Sequence, residues 1–131
     1  MFKGRLQALL YVQDLPRSVD FYRALGFGFK GYWNPATQQV AMDWKEAGQP
    51  NYCEVTVVES GVGLHLAEPG RTGTPLSEHH VEVDNADTFC TQLKGKRLDP
   101  SPVADTPWGW RMFHVADPDG HVWNFFTPKT K

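Results

Sequence analysis

Two cysteines, Cys53 and Cys90, in 131 residues are too few for a disulfide framework, and their spacing matches neither a zinc knuckle nor a redox pair. No basic group close in sequence marks either as a low-pKa thiol, so both are expected to pack. The N-terminal stretch Met1-Phe2-Lys3-Gly4-Arg5-Leu6 lacks the apolar run of a secretory signal or a membrane span. A reducing cytoplasm is the expected setting, with no membrane partner. Charge of one sign is also missing: 13 Lys and Arg stand against 15 Asp and Glu, a formal net charge of -2. The basic residues are scattered, which excludes an electrostatic footprint for nucleic acid. Nothing has the form of a phosphate loop or of a Ser-His-Asp order.

What is present is aromatic. Phe, Trp and Tyr make up 13% of the chain, with five tryptophans, and such side chains fill cores and line apolar ligand pockets equally well. Ten prolines and twelve glycines announce many turns and short elements. A chain of this length buries roughly two thirds of its unfolded surface, enough for one domain with a core of its own and too little for two.

The order of elements follows from periodicity. Apolar residues alternate loosely over Leu6 to Val12, as in a strand. Asp14 offers an N-cap, Pro16 suits a first turn, and Val19, Tyr22 and Leu25 repeat at helical spacing, predicting a helix over 15–25 closed by Gly26. A strand is expected over 27–33, then a long loop over 34–50 with one strand turn near Val40 to Trp44. A hairpin follows over 52–67, turning at Ser60-Gly61. Glu68 to Pro75 has the composition of a connector. The pattern then recurs: a strand over 78–83, a helix capped by Asp84 or Asn85 and ended by Gly95, short strands over 100–106 and 111–116, a turn at Asp117-Pro118-Asp119-Gly120, and a last strand over 121–127.

Two landmarks align the halves. Val12 matches Val83, an offset of 71, and the hairpin glycine Gly61 matches Gly120, an offset of 59. The difference is assigned to the extra loop at 34–50. The chain therefore reads as α+β: a single domain of two β-α-β-β-β modules, about 1–68 and 77–131, joined by a connector at 69–76. Each half is too small to cover its own curved mixed sheet. The halves are expected to pack together around a shared cavity with their helices outside.

Val12-Gln13-Asp14-Leu15, Phe21-Tyr22-Arg23-Ala24-Leu25-Gly26-Phe27, Pro107-Trp108-Gly109-Trp110-Arg111 and Asp117-Pro118-Asp119-Gly120-His121, in that order, resemble the glyoxalase, bleomycin-resistance and extradiol-dioxygenase group, the vicinal oxygen chelate superfamily. The resemblance covers nearly the whole chain. In metal-using members the ligands come from the first and last strands of each module. By family register the resemblance nominates Gln7 and Glu78, five residues before Val12 and Val83, and His65 and Asn124, four residues after Gly61 and Gly120. Such a site would take Zn, Ni, Fe or Mn, with Glu78 as the acid-base group. His65 and Glu78 are good donors. Asn124 departs from the family, because a carboxylate there compensates charge and moves a proton, and an amide does neither. A β-bulge at Glu78-His79-His80 would let His80 join His65 and Glu78.

Alternation adds the remaining candidates. Tyr11 shares the face of Gln7, His80 and Glu82 that of Glu78, and Phe126 that of Asn124. Trp108 and Trp110 fall where the family carries ligand-contacting residues, and core packing is their other reading. Arg111 would pair with an anionic ligand or with a neighbouring acid such as Glu78 or Glu82. The resemblance thus implies a metal-free protein of the bleomycin-resistance type that binds or sequesters a small apolar or aromatic molecule and needs no cofactor. A divalent-metal-dependent glyoxalase-like (lactoylglutathione lyase) or dioxygenase-like enzyme is the alternative. Members of this length commonly form homodimers. A net charge of -2 gives little field to draw a strongly cationic drug such as bleomycin.

Overall fold

Local capping sets the two helices. Asp14 accepts a hydrogen bond from the Arg17 backbone N–H at 3.1 Å and opens α1, Leu15–Leu25. Gly26 closes it with φ 103°, a left-handed conformation that glycine adopts without strain. Asn85 accepts from the Thr88 N–H at 3.0 Å and opens α2, Ala86–Gly95. Gly95 is thus the last helical residue instead of the stop, and the chain leaves through Lys96 and the positive-φ Arg97.

The computed structural model describes residues 1–4, 6–67 and 76–129. The chain divides into two compact units, Met1–Pro75 and Leu76–Lys131. The connector expected at 69–76 lies, apart from Leu76, outside the described residues.

The first unit holds β1 (Ala8–Val12), α1, β2 (Gly28–Asn34), β3 (Gln39–Ala41), β4 (Tyr52–Val57) and β5 (Ser60–Leu66). They form a mixed five-stranded sheet in the order β1-β5-β4-β2-β3, with β1 parallel to β5. Leu10 and Val12 of β1, Cys53 and Val55 of β4, and Val62 and Leu64 of β5 are buried, as are Val19, Tyr22 and Leu25 of α1. Each fully buried side chain of this kind contributes about 1.5–3 kcal/mol, which fixes the register of every strand beneath the helix. The loop at 34–50 adds β3 and folds back through Asn34, whose Nδ2 donates to the Ala47 carbonyl at 2.9 Å.

The second unit holds β6 (Glu78–Glu82), α2, β7 (Ala104–Asp105), β8 (Trp110–Ala116) and β9 (Val122–Pro128), in a mixed sheet ordered β6-β9-β8-β7. Ala86, Cys90 and Leu93 of α2 are buried, as are Phe113, Val115, Trp123 and Phe125 on the sheet. The fold is α+β, with the repeat legible as expected except for the added β3. Among the described residues, no helix is long and apolar enough to cross a membrane.

One expected turn moves. Val57 pairs with Ser60, so the first unit's hairpin turns at Val58-Glu59 and Gly61 already lies in β5, opposite Thr56. The corresponding connection in the second unit is longer, since Ala116 pairs with Val122 and Gly120 falls inside the loop. Gly61 and Gly120 are therefore not equivalent. Ala8 pairs with Val62 and its repeat mate His79 with Trp123, which makes the true offset of the last strands 61.

Candidate functional site

In each unit one face of the sheet is packed against its helix and the other is turned away from it. The candidate side chains belong to these open faces. On the first unit, alternation leaves Leu9 and Tyr11 of β1 outward, with Gln7 just before them. Leu9 pairs with Gly63 and Tyr11 with His65 on β5, which in turn face Glu54 and Tyr52 on β4. Gly61 and Gly63 leave β5 without side chains at these two positions of the face, and β4 fills the space. The Tyr52 ring lies over Gly63 so closely that a Cβ there would stand 2.6 Å from its OH and 2.8 Å from its Cε1. A Cβ on Gly61 would collide with the Glu54 carboxylate. Gln7 Nε2 donates to the Tyr52 OH at 3.2 Å. Burial pushes the Tyr52 phenol above its ordinary pKa, and the Gln7 hydrogen bond opposes that shift.

His65 sits between two aromatic rings, 5.5 Å from Tyr11 and 6.3 Å from Tyr52 between ring centroids. Its Nδ1 is 2.8 Å from the Leu66 carbonyl oxygen. Because a carbonyl only accepts, Nδ1 carries a proton. Gln7 lies beside Gly61, four residues along the sheet from the level of His65, or about 13 Å at a strand rise of about 3.3 Å per residue. The first unit does not bring these two nominated ligands together.

The corrected offset explains why. With β5 matched to β9 at 61, the first-unit counterpart of Asn124 is Gly63, and that of Phe126 is His65. The four family positions are then Gln7, Gly63, Glu78 and Asn124, which supply one carboxylate, two amides and no side chain at all at the fourth. This set does not fit a zinc, nickel or iron site, which takes imidazole, carboxylate or thiolate donors. Among the described residues, no group of three His, Cys, Asp or Glu side chains is placed to hold a metal ion.

On the second unit Glu78 and Asn124 do meet. Asn124, 4% exposed, donates through Nδ2 to Glu78 Oε1 at 3.0 Å and to the His79 carbonyl at 3.2 Å. The β6 and β9 strands pair without a break from Glu78 to Glu82, so the bulge that would turn His80 toward Glu78 does not form. His80 instead lies opposite Asn124, in edge contact with Trp110 at 5.8 Å and Phe126 at 6.4 Å. Trp110 and Phe126 are stacked, 3.7 Å between centroids at 11°. Trp108, 60% exposed, meets Trp110 edge-on at 5.9 Å. Glu82 is exposed and pairs with Phe126 across the strands.

His79 and Arg111 turn to the helix side. His79 stacks on Trp123 at 4.5 Å, with Nε2 2.9 Å from Ser77 Oγ. Burial, then the nearby His121, holds its pKa below the ordinary histidine value. Arg111 shares the side of Phe113 and Val115, and binds Asp87 through Nε and a terminal nitrogen at 3.0 Å each and Asp105 at 3.2 Å. Alternation in β8 thus gives its guanidinium to these two acids, not to Glu78 or Glu82. The Arg111 hydrogen bonds hold the Asp87 carboxyl below its usual range, and Lys129 followed by Arg111 does the same for Asp105.

Sequence reasoning passed over Tyr52 and Glu54 on the first open face and Met112 on the second. The hairpin register would have disclosed the first two once the turn was placed at Val58-Glu59. Met112 follows from alternation with Trp110.

The sequence model of the Glyoxalase/Bleomycin resistance protein/Dioxygenase superfamily matches residues 4–125. No curated protein matches the chain. Solved structures share the fold. An antibiotic binding protein from Streptomyces sp. CB03234 is 21% identical with a TM-score of 0.73, the match covering 98% of each chain. The bleomycin resistance determinant encoded on the transposon Tn5 is 17% identical with a TM-score of 0.69, over 98% of this chain and 100% of that one. A lactoylglutathione lyase from Agrobacterium tumefaciens is 13% identical with a TM-score of 0.70, over 96% and 94%.

Proposed function

This chain belongs to the Glyoxalase/Bleomycin resistance protein/Dioxygenase superfamily, and from that premise we propose that it is a small-molecule-binding protein that works without a metal, sequestering an aromatic molecule on its open sheet faces. The observation that carries the proposal is the register of β5. It puts Gly63 where the repeat puts Asn124, and the space a donor side chain would need is filled by the Tyr52 ring. A lyase or dioxygenase of this superfamily needs donors for its cation and a base near the substrate. At these positions Glu78 alone has the chemistry for either.

The aromatic surfaces support the kind of ligand. Trp108, Trp110 and Phe126 form a shelf on the second unit, and Tyr11 with Tyr52 flanks His65 on the first. Stacking on such rings is worth about 0.5–1.5 kcal/mol per pair beyond the area buried. An antibiotic binding protein and a bleomycin resistance determinant share the fold, which supports small-molecule binding, and a lactoylglutathione lyase shares it too, so the preference for sequestration over turnover rests on the donor set alone. We place the protein in the cytoplasm as a homodimer, the exposed Leu9 and Trp108 favouring further association.

Elemental analysis of protein purified without chelators tests the central point. We expect metal well below one ion per chain together with quenching of tryptophan fluorescence by apolar aromatics. Stoichiometric Zn, Ni, Fe or Mn, or turnover of a hemithioacetal, would overturn the proposal. A monomeric mass by light scattering would remove the dimer alone.

A further inference from the structure

The open face of the second unit is biased in charge as well as aromatic. Glu78, His80 and Glu82 are all exposed along β6. Neither Lys nor Arg occupies an open-face position of β6, β8 or β9, and Arg111, the one Lys or Arg on these strands, is taken up by Asp87 and Asp105 on the opposite side. Among the described residues no Lys or Arg lies within ion-pair distance of Glu78 or Glu82.

Asn124 adds an independent observation. Both of its amide hydrogens point at acceptors, Glu78 Oε1 and the His79 carbonyl. A carboxylate and a backbone carbonyl both accept, which sets the amide with its NH2 toward them. Its Oδ1 is therefore fixed on the side of the amide away from β6, an acceptor without a hydrogen-bond partner among the described residues, on a side chain that is 4% exposed. The surface thus presents an aromatic stack, two carboxylates, the exposed imidazoles of His80 and His114 on either side of Asn124, and an oriented carbonyl oxygen.

Resting on the binding function proposed above, we infer that the ligand is a planar aromatic cation carrying N–H donors, such as a protonated amine or amidine on a fused ring. The ring extends the Trp110–Phe126 stack on an outer face, since the inner faces cover each other, and such a face also attracts positive charge. Glu82, with its Cβ about 5 Å from that of Phe126 across the strands, faces the charge. Asn124, about 7 Å further along β9, accepts an N–H. The net charge of the whole chain is a poor guide here. At physiological ionic strength fields decay over about 8 Å, so the face itself decides the sign of the ligand.

Calorimetric titration of the full chain with three flat tricyclic probes tests the inference: 9-aminoacridine as the cation, uncharged acridone, and acridine-9-carboxylate as the anion. We expect the cation to bind about tenfold more tightly than acridone and the anion most weakly, with the preference shrinking as salt is added. Glu82→Gln, at an exposed position, should bring the cation close to acridone, and Asn124→Leu should weaken both of these probes, each of which carries an N–H, while sparing acridine-9-carboxylate, which has none. Equal affinities, the opposite ranking, or an unchanged preference in Glu82→Gln would overturn the cationic ligand and leave aromatic binding standing. Failure of all three probes to bind would overturn both.

Discussion

Replacing Gly63 with alanine tests the register on which the site rests. An added Cβ would lie 2.6 Å from the Tyr52 OH, 2.8 Å from Tyr52 Cε1 and 3.1 Å from Leu9 Cδ1, so the ring must retreat by about 1 Å to reach ordinary contact distance. That ring is half-buried and tied to Gln7 at 3.2 Å, and overpacking of this kind costs about 1–3 kcal/mol. Alanine recovers about 0.5–1 kcal/mol by restricting the unfolded chain. The net expectation for Gly63→Ala is a loss of about 1–2 kcal/mol, a fall in Tm of roughly 3–8 °C for a domain of this size. In a Tyr52→Ser background the main obstacle is gone, and Leu9, 51% exposed, can move aside. There the same substitution should be neutral or slightly stabilising. Urea unfolding of the four proteins gives the coupling, expected near 2 kcal/mol. An equal cost of Gly63→Ala in both backgrounds would refute the placement of Tyr52 over Gly63 and, with it, the claim that no donor side chain fits at this position.

Other expectations follow from single residues. Val58 holds φ 53° in the hairpin turn and is 95% exposed, so Val58→Gly should relieve about 1 kcal/mol of backbone strain and raise Tm without touching binding. Burial pushes the Cys53 thiol up to about 12, and Cys90 is 2% exposed; neither should react with a thiol reagent until urea unfolds the chain. Since the fold holds His79 below its ordinary value of 6.5, it binds this proton less well than the unfolded chain does. Its stabilising contribution is complete above pH 6.5 and declines as pH falls toward the lowered value. His79→Phe should flatten that acid-side fall in the urea midpoint, and an unchanged slope would show that another group causes it.

Much of this protein was determined by local chemistry. Asp14, Pro16 and Gly26 bound α1 because a cap, a first-turn proline and a left-handed glycine act within one or two turns of chain. Alternation placed Tyr11, His80, Glu82 and Phe126 on their faces for the same reason: side-chain direction in a strand depends only on the neighbours. The duplication was visible because both halves repeat that local chemistry around Val12 and Val83. Registry between strands was not legible. Gly61 and Gly120 are both turn-like in sequence, and only the pairing of Ala8 with Val62 and of His79 with Trp123 places one in a strand and the other in a loop. Hydrogen bonding across a sheet joins residues 54 and 44 positions apart in the two units, and an offset of 61 instead of 59 keeps every side chain on its face while moving it one same-face step along the strand. That step exchanged His65 for Gly63. The sequence determined which residues face away from the helices, and the tertiary structure decided which of them stand side by side.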